Sequence, residues 1–326
     1  MMETAAPLLE VKNLKKWFPV SQGLFGRKKA FVKAVNDVSF TVDRGRTLGV
    51  VGESGCGKTT LGRTLMRLVE PTGGQVVFDG LNFLSLGDDE LRKERSKMQI
   101  IFQDPYASLD PRMTVGDLVG EPLDIQRVYG SRRERNDRVL QLLDICGLDS
   151  DYVRRYAHEF SGGQRQRIGI ARALALNPLL VICDEPVSAL DVSIQAQILN
   201  LMKEIQEKLK VTYIFISHDL GVVKHVSDDV AVMYLGKIVE IAPKAGLYED
   251  SRHPYTRALL AAIPIPDTSV KRKKEIMYGD IPSPQDLPSG CCFRTRCPLA
   301  AGICANEEPV LRDREDGHFC ACHLVE

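Results

Sequence analysis

The residues best placed to do chemistry form the run Gly52-Glu53-Ser54-Gly55-Cys56-Gly57-Lys58-Thr59, with Thr60 directly after it. This run fits the G-x-x-x-x-G-K-[ST] spacing of a phosphate-binding loop. Its glycines let backbone N–H groups converge on phosphate oxygens, with the positive end of a following helix behind them. In that role Lys58 reaches the β- and γ-phosphates, and the Thr59 hydroxyl binds Mg²⁺. The plain alternative is a chance glycine-rich turn. The Lys-Thr pair and the apolar run just before it argue for the loop.

A second element has to hold the metal. Leu180-Val181-Ile182-Cys183 is apolar and ends in Asp184-Glu185. A carboxylate at the end of a buried strand can bind Mg²⁺, directly or through water, which assigns Asp184. Glu185 then points elsewhere and can polarise an attacking water as general base. An apolar run before Asp-Glu is common by itself and gains weight only beside the phosphate loop. His218 follows the apolar run Thr212–Ile216. Open α/β sheets bind ligands at the C-terminal ends of parallel strands, so an imidazole there can reach a γ-phosphate. A lone histidine would ordinarily be structural.

Phosphate loops serve several kinds of enzyme, so this one does not decide the function. The stretch Phe160-Ser161-Gly162-Gly163-Gln164-Arg165-Gln166-Arg167 does. It resembles the signature of the ABC ATPase family. Other elements stand in that family's order: the loop at 52–59, Gln103 in the Q-loop, Asp184-Glu185, Ser188-Ala189-Leu190-Asp191 in the D-loop, and His218. The resemblance covers roughly residues 8–242. It implies an α/β fold: a P-loop NTPase core with a RecA-like parallel sheet, an antiparallel β subdomain and a helical subdomain at about 104–175. It also implies that Gln103 senses Mg²⁺ or the γ-phosphate, and that Asp191 lies at the nucleotide. Phe18 aligns with the family's adenine-stacking aromatic, with its neighbour Trp17 as the alternative.

Ser161, Gly162 and Gly163 stand at the start of a helix running from Gly163 to about Leu176. A helix N-terminus with a hydroxyl is a second anion site. About 100 mostly helical residues separate it from the phosphate loop. The family solution is a head-to-tail dimer in which each ATP joins one subunit's loop to the other's signature. ATP then favours the closed dimer through contacts absent from the open one.

Three C-terminal passages narrow the resemblance: His253-Pro254-Tyr255-Thr256-Arg257-Ala258-Leu259-Leu260, Gly279-Asp280-Ile281-Pro282-Ser283-Pro284, and Gly290-Cys291-Cys292-Phe293 leading to Arg296-Cys297-Pro298. They look like the ATP-binding subunits of bacterial oligopeptide and dipeptide permeases. Nickel and glutathione importers share that branch. The loop Gly23–Lys33 and the stretch Ser108–Val115 resemble the "F" rather than the "D" member of the paired subunits. The resemblance implies a heterodimer with a second ATP-binding subunit, two membrane permease subunits and an extracellular or periplasmic peptide-binding protein. It places the chain as a peripheral protein on the cytoplasmic face of the membrane. The segment Asp104–Gln126 is expected to grip a cytoplasmic helix of a permease subunit, with Tyr106 and Leu109 at the contact.

Six of the nine cysteines lie between Cys291 and Cys322. In a reducing compartment such a cluster reads as a metal site before it reads as disulfides. The permease resemblance marks Cys291, Cys297, Cys304 and Cys322 for a [4Fe-4S] cluster, which takes four thiolates. Zinc is the main competitor, although the C-x₂-C knuckles of zinc ribbons are absent. Cys292 and Cys320 are extra. His318 and His323 read as surface residues.

The elements that position these groups follow from periodicity. Residues 8–12 and 36–42 alternate as half-buried strands do, with a polar loop expected at 21–33. Thr47–Val51, Gln75–Phe78, Met98–Phe102, Leu179–Cys183 and Thr212–Ile216 read as strands. Lys58–Val69 and Ser193–Leu209 read as helices, and 114–175 as mostly helical. Strand–helix–strand alternation points to a parallel sheet with right-handed crossovers. Composition breaks after Ala242, which divides an ATP-binding domain, 1–242, from a cysteine-containing region, 243–326. The run Lys271-Arg272-Lys273-Lys274 reads as part of a solvated linker.

Of the 326 residues, 44% are hydrophobic and 26% charged, with a net charge of +0. That composition suits a globular chain with a sizeable core. It gives no basic footprint for nucleic acid. No apolar run approaches the roughly 18–20 residues that span a bilayer, and the start of the chain does not read as a secretory signal. Two other functions compete. Soluble ABC proteins of DNA repair or translation usually carry two ATPase modules or long coiled-coil insertions, and neither is present. A scaffold with a dead ATP site conflicts with the intact Lys58, Asp184, Glu185 and His218.

Overall fold

The computed structural model describes residues 6–22, 28–263, 277–314 and 317–325. The basic run Lys271–Lys274 and residues 23–27 of the loop that suggested the "F" subunit lie outside them. The first strands are β1 (Leu9–Gln22), β2 (Lys28–Val42), β3 (Thr47–Val51), β4 (Gly73–Phe78), β5 (Leu81–Asn82) and β6 (Met98–Ile101). They are followed by β7 (Leu180–Asp184), β8 (Thr212–Ser217), β9 (Asp229–Tyr234), β10 (Lys237–Pro243), β11 (Arg312–Asp313) and β12 (Phe319–Cys320). The helices begin with α1 (Lys58–Leu65), α2 (Asp88–Glu94), α3 (Pro105–Ser108), α4 (Val115–Ile125), α5 (Arg132–Ile145) and α6 (Gly162–Leu174). After them come α7 (Val192–Leu209), α8 (Leu220–Val226), α9 (Lys244–Glu249), α10 (Pro254–Ala261) and α11 (Ile303–Asn306).

Packing divides the chain into two compact units. The first comprises Met1–Val42, Leu48–Leu84 and Ser217–Glu326. In it β1 pairs antiparallel with both β2 and β4, and β5 extends the sheet beyond β4. Leu9, Val11, Leu14, Val35, Val38 and Phe78 are fully buried on its inner face. Register shifts at Val11/Leu14 mark a bulge, where Asn13 takes a positive φ of 48°. Asn tolerates that region better than most residues. In the same unit β3 runs parallel to β9, and β9, β10, β12 and β11 continue antiparallel.

The second unit comprises Asp43–Thr47 and Ser85–Ile216. Here β6, β7 and β8 form a parallel ladder. Every residue of β7 and β8 is buried, which is why they read as unbroken apolar runs. Helices α4, α5 and α6 pack on one another, and α6 also contacts β6 and α7.

Three expectations need correction. Residues 28–33 belong to β2, so the expected loop at 21–33 is mostly ribbon. None of residues 30–33 is buried, Phe31 standing 41% exposed, so the segment lacks the alternating burial by which a half-buried strand is read. Helix α1 stops at Leu65 rather than Val69 because Arg67 enters the left-handed region at φ 52°. Leu109 is 3% exposed and belongs to the core, so it offers nothing to a membrane partner, whereas Tyr106 is 65% exposed. No helix among the described residues is long and apolar enough to cross a membrane.

Candidate functional site

In the first unit, residues 52–57 connect β3 to α1, which opens with Lys58 and Thr59. The turn depends on glycine. Gly57 has φ 111°, and a Cβ there would stand 2.0 Å from the Ala34 carbonyl oxygen. At Gly52 a Cβ would stand 2.2 Å from the Met233 carbonyl oxygen. Lys58 is 4% exposed, and its Nζ donates to the carbonyls of Gly52 (2.8 Å) and Glu53 (3.1 Å). The ammonium is thereby folded back over the loop. Ser54 and Gly55 are exposed, while Thr59 and Thr60 begin α1 half-buried. Burial pushes the Cys56 thiol up in pKa, against the pull of the Lys58 ammonium. Thus Cys56 stays a neutral space-filler at pH 7.

Two C-terminal side chains that sequence reasoning had not assigned to the site meet the phosphate loop. The Tyr255 hydroxyl accepts from the Glu53 N–H at 3.0 Å. Arg296 donates through Nη1 and Nη2 to the two Glu53 carboxylate oxygens, at 2.7 and 3.0 Å. That fork, opposed by burial, holds the Arg296 guanidinium above its usual pKa. Both residues stand in passages already singled out, but nothing in their spacing points to residue 53.

Phe18 lies on β1 opposite Val32, 37% exposed, with the Lys16 ammonium 4.8 Å from its ring centre. The Trp17 ring packs instead against Phe31 at 6.3 Å and Lys33 at 5.0 Å. Phe18 is the more accessible of the two. His218 follows β8 and is exposed.

In the second unit, Asp184 ends β7 at 2% exposure. Glu185 comes next at a positive φ of 48°, with its N–H bonded to the Ile216 carbonyl at 3.0 Å. This strained backbone turns the second carboxylate out of the strand direction. Gln103 Nε2 donates to Glu185 Oε2 at 3.2 Å, so the structure joins these two predicted site residues. Gln103 leads into α3, whose N-cap Asp104 accepts from the Tyr106 N–H at 2.7 Å. Asp191 is the exposed N-cap position of α7. The carboxylate of Asp184 is an oxygen donor of the kind that suits Mg²⁺.

The Ser161-Gly162-Gly163-Gln164 run begins α6, one residue earlier than expected. Ser161 Oγ accepts from the Gln164 N–H at 3.3 Å, and Gln164 Oε1 accepts from the Ser161 N–H at 3.0 Å. This is a capping box, and S-x-x-Q is its sequence pattern. The box fixes the helix start and leaves Gly162 and Gly163 between its two ends. A Cβ on Gly163 would stand 2.5 Å from Ile194 Cγ2, so α7 packs closely there.

The cysteine-rich region belongs to the first unit. Burial raises the pKa of Cys291 to about 11, and Cys304, Cys292 and Cys322 add to it. Burial likewise raises Cys297 and Cys322, with a further push on Cys297 from Cys322 and Cys304, and on Cys322 from Cys304. Cys320 is raised by burial and by Glu240. However, no group of three or more His, Cys, Asp or Glu is arranged as a metal cage among the described residues. The donor chemistry fits a [4Fe-4S] cluster or zinc, and the arrangement does not. His318, expected on the surface, is 5% exposed, with Nε2 2.7 Å from Oε1 of the fully buried Glu240. His323 Nε2 lies 2.9 Å from the Glu307 carbonyl oxygen.

Comparison with known proteins agrees with this layout. Residues 35–188 match the ABC transporter family, and residues 239–304 match the oligopeptide/dipeptide transporter C-terminal region. The oligopeptide transport ATP-binding protein AppF of Bacillus subtilis is 54% identical, over 97% of each chain. A putative peptide import ATP-binding protein of Brucella ovis is 53% identical over 98% of each. Among solved structures, the dimeric ATP-binding cassette MJ0796 bound to ADP and phosphate is 29% identical. It covers 72% of this chain and 98% of its own, at a TM-score of 0.64. CbiO1 of Clostridium perfringens is 25% identical at a TM-score of 0.64, covering 75% and 91%. These likenesses define an α/β ATP-binding cassette. The chain belongs to the ABC transporter family, in its oligopeptide/dipeptide branch.

Proposed function

We propose that this chain is the ATP-binding and ATP-hydrolysing subunit that energises peptide import through a bacterial ABC transporter. One observation carries the reading: a glycine-built phosphate loop and a capped Ser-Gly-Gly-Gln helix start, two anion sites, stand on one chain. The printed names of its relatives support peptides as the cargo. Residues 1–242 serve as the ATP-binding domain and 243–326 as the permease-specific region.

Phe18 stacks on adenine. The backbone of residues 52–60 and the Lys58 ammonium bind the phosphates once Lys58 exchanges its carbonyl partners for phosphate oxygens. Thr59, Gln103 and Asp184 hold Mg²⁺, which supplies charge neutralisation at the transferring phosphate. Glu185 takes a proton from the attacking water, and Gln103 orients that carboxylate. His218 donates to the γ-phosphate, and Asp191 borders the nucleotide. Ser161 to Gln164 serve the nucleotide of a second, homologous ATP-binding subunit, giving a heterodimer on the cytoplasmic face of the membrane. Two permease subunits and an external peptide-binding protein complete the assembly.

A [4Fe-4S] cluster held by Cys291, Cys297, Cys304 and Cys322 rests on the chemistry of four thiol donors alone. The lack of a formed cage among the described residues speaks against it. No step of the ATP cycle runs through it.

The Glu185→Gln variant tests the assignment of the base. Removing the proton acceptor while keeping shape should reduce ATP turnover by at least about 100-fold and leave ATP bound. Gel filtration should then show an ATP-dependent dimer. Turnover at the wild-type rate would refute Glu185 as the base.

A further inference from the structure

Glu53 is held at each of its polar groups. Its N–H donates to Tyr255 Oη at 3.0 Å, and its carbonyl accepts from Lys58 Nζ at 3.1 Å. Its two carboxylate oxygens accept the Arg296 fork at 2.7 and 3.0 Å. The Arg296 side chain is 6% exposed and that of Glu53 22%. A bidentate guanidinium–carboxylate pair fixes direction as well as distance, which an ammonium cannot do.

The arginine is itself braced. Its guanidinium lies 5.9 Å from the Tyr234 ring centre. Tyr234 packs on Tyr255 at 4.7 Å and on Phe293 at 5.3 Å. Residues Ile281 to Pro284 face Glu53 to Cys56 across a cavity of about 290 Å³. Through Tyr255 and Phe293, packed at 5.3 Å, the C-terminal region therefore stands behind the phosphate loop.

Charge explains why this pairing matters. Glu53 is an acidic residue in a loop that receives a polyanion. Left unpaired in a half-buried setting, its carboxylate repels phosphate and draws Lys58 toward itself. We infer that Arg296 is a positioning residue of the nucleotide site, which cancels the Glu53 charge and pins the phosphate loop in its anion-receiving form from the C-terminal region. This inference rests on reading residues 52–59 as the triphosphate cradle. It gives the C-terminal region a part in nucleotide binding, separate from any part its thiols play.

The test measures ATP affinity and thermal stability of the full chain with Arg296→Ala, Arg296→Lys, the double variant Glu53→Gln/Arg296→Ala, and Lys58→Ala as control. Arg296→Ala should weaken ATP binding about tenfold, and Arg296→Lys by an intermediate factor. The double variant should return to within about threefold of wild type, because the stranded carboxylate is gone. Rescue of affinity by a second charge removal is not expected of an arginine that only supports the fold. Wild-type affinity in Arg296→Ala or Arg296→Lys, or a double variant as weak as the single one, overturns the inference. Should Arg296→Ala fail to fold, the lysine variant decides. If Lys58→Ala binds ATP as well as wild type, the cradle itself is misread. If Lys58→Ala loses ATP while Arg296→Ala keeps it, the arginine alone is misassigned.

Discussion

At the residue scale, the molecule reuses single side chains for fold and site together. His253 shows this away from the nucleotide. It caps α10 by accepting from the Tyr255 N–H at 3.1 Å, and it is 2% exposed. Tyr255 is the residue that holds Glu53. Burial lowers the His253 pKa from 6.5 to about 4, with the Glu240 carboxylate opposing the shift. The folded chain thus keeps this imidazole neutral where the unfolded chain protonates it. Its contribution is complete above pH 6.5 and is lost as pH falls toward 4, by about 2 kcal/mol at pH 5. Urea unfolding at pH 7 and pH 5 should show a larger loss for wild type than for His253→Asn, which caps without titrating. Equal losses would remove His253 as the source.

At the element scale, helix α6 joins signature and fold. Its capping box satisfies backbone donors at the helix start, so Ser161→Ala should cost about 1 kcal/mol in denaturant unfolding. The same change should weaken the ATP-dependent dimer. A stability equal to wild type would show that the cap contributes nothing. Elements of this kind are also where the sequence is most legible. Strands β3, β7 and β8 are buried along their whole length, so their apolar runs stand out. The ribbon at 28–33 is hidden because none of residues 30–33 is buried, so no core-facing alternation marks it. The end of α1 was hidden because Arg67 adopts a backbone conformation that its type does not advertise. The loop at 52–59 was fully legible, since its glycines answer local steric needs. Its brace was not: Glu53 and Arg296 are 243 positions apart. Leu109 illustrates the same limit in reverse, because a motif-adjacent apolar residue proved to be core.

At the scale of the whole molecule, each compact unit carries part of the proposed ATP machinery. The first holds Phe18, the phosphate loop and His218, and the second holds Gln103, the signature, Asp184, Glu185 and Asp191. The C-terminal region is tied into the first unit by β12 pairing on β10 and by the buried Glu240–His318 contact. Family membership accounts for the nucleotide machinery, and the match at 239–304 accounts for the peptide branch. The central claim joins the two, ATP hydrolysis on this chain driving peptide uptake through partner chains. Reconstitution with the permease partners in vesicles, with the peptide-binding protein and a labelled oligopeptide supplied outside, tests it most directly. ATP inside the vesicles should drive uptake with the wild-type chain and give none with Lys58→Ala. Uptake independent of ATP, or equal with Lys58→Ala, would contradict it.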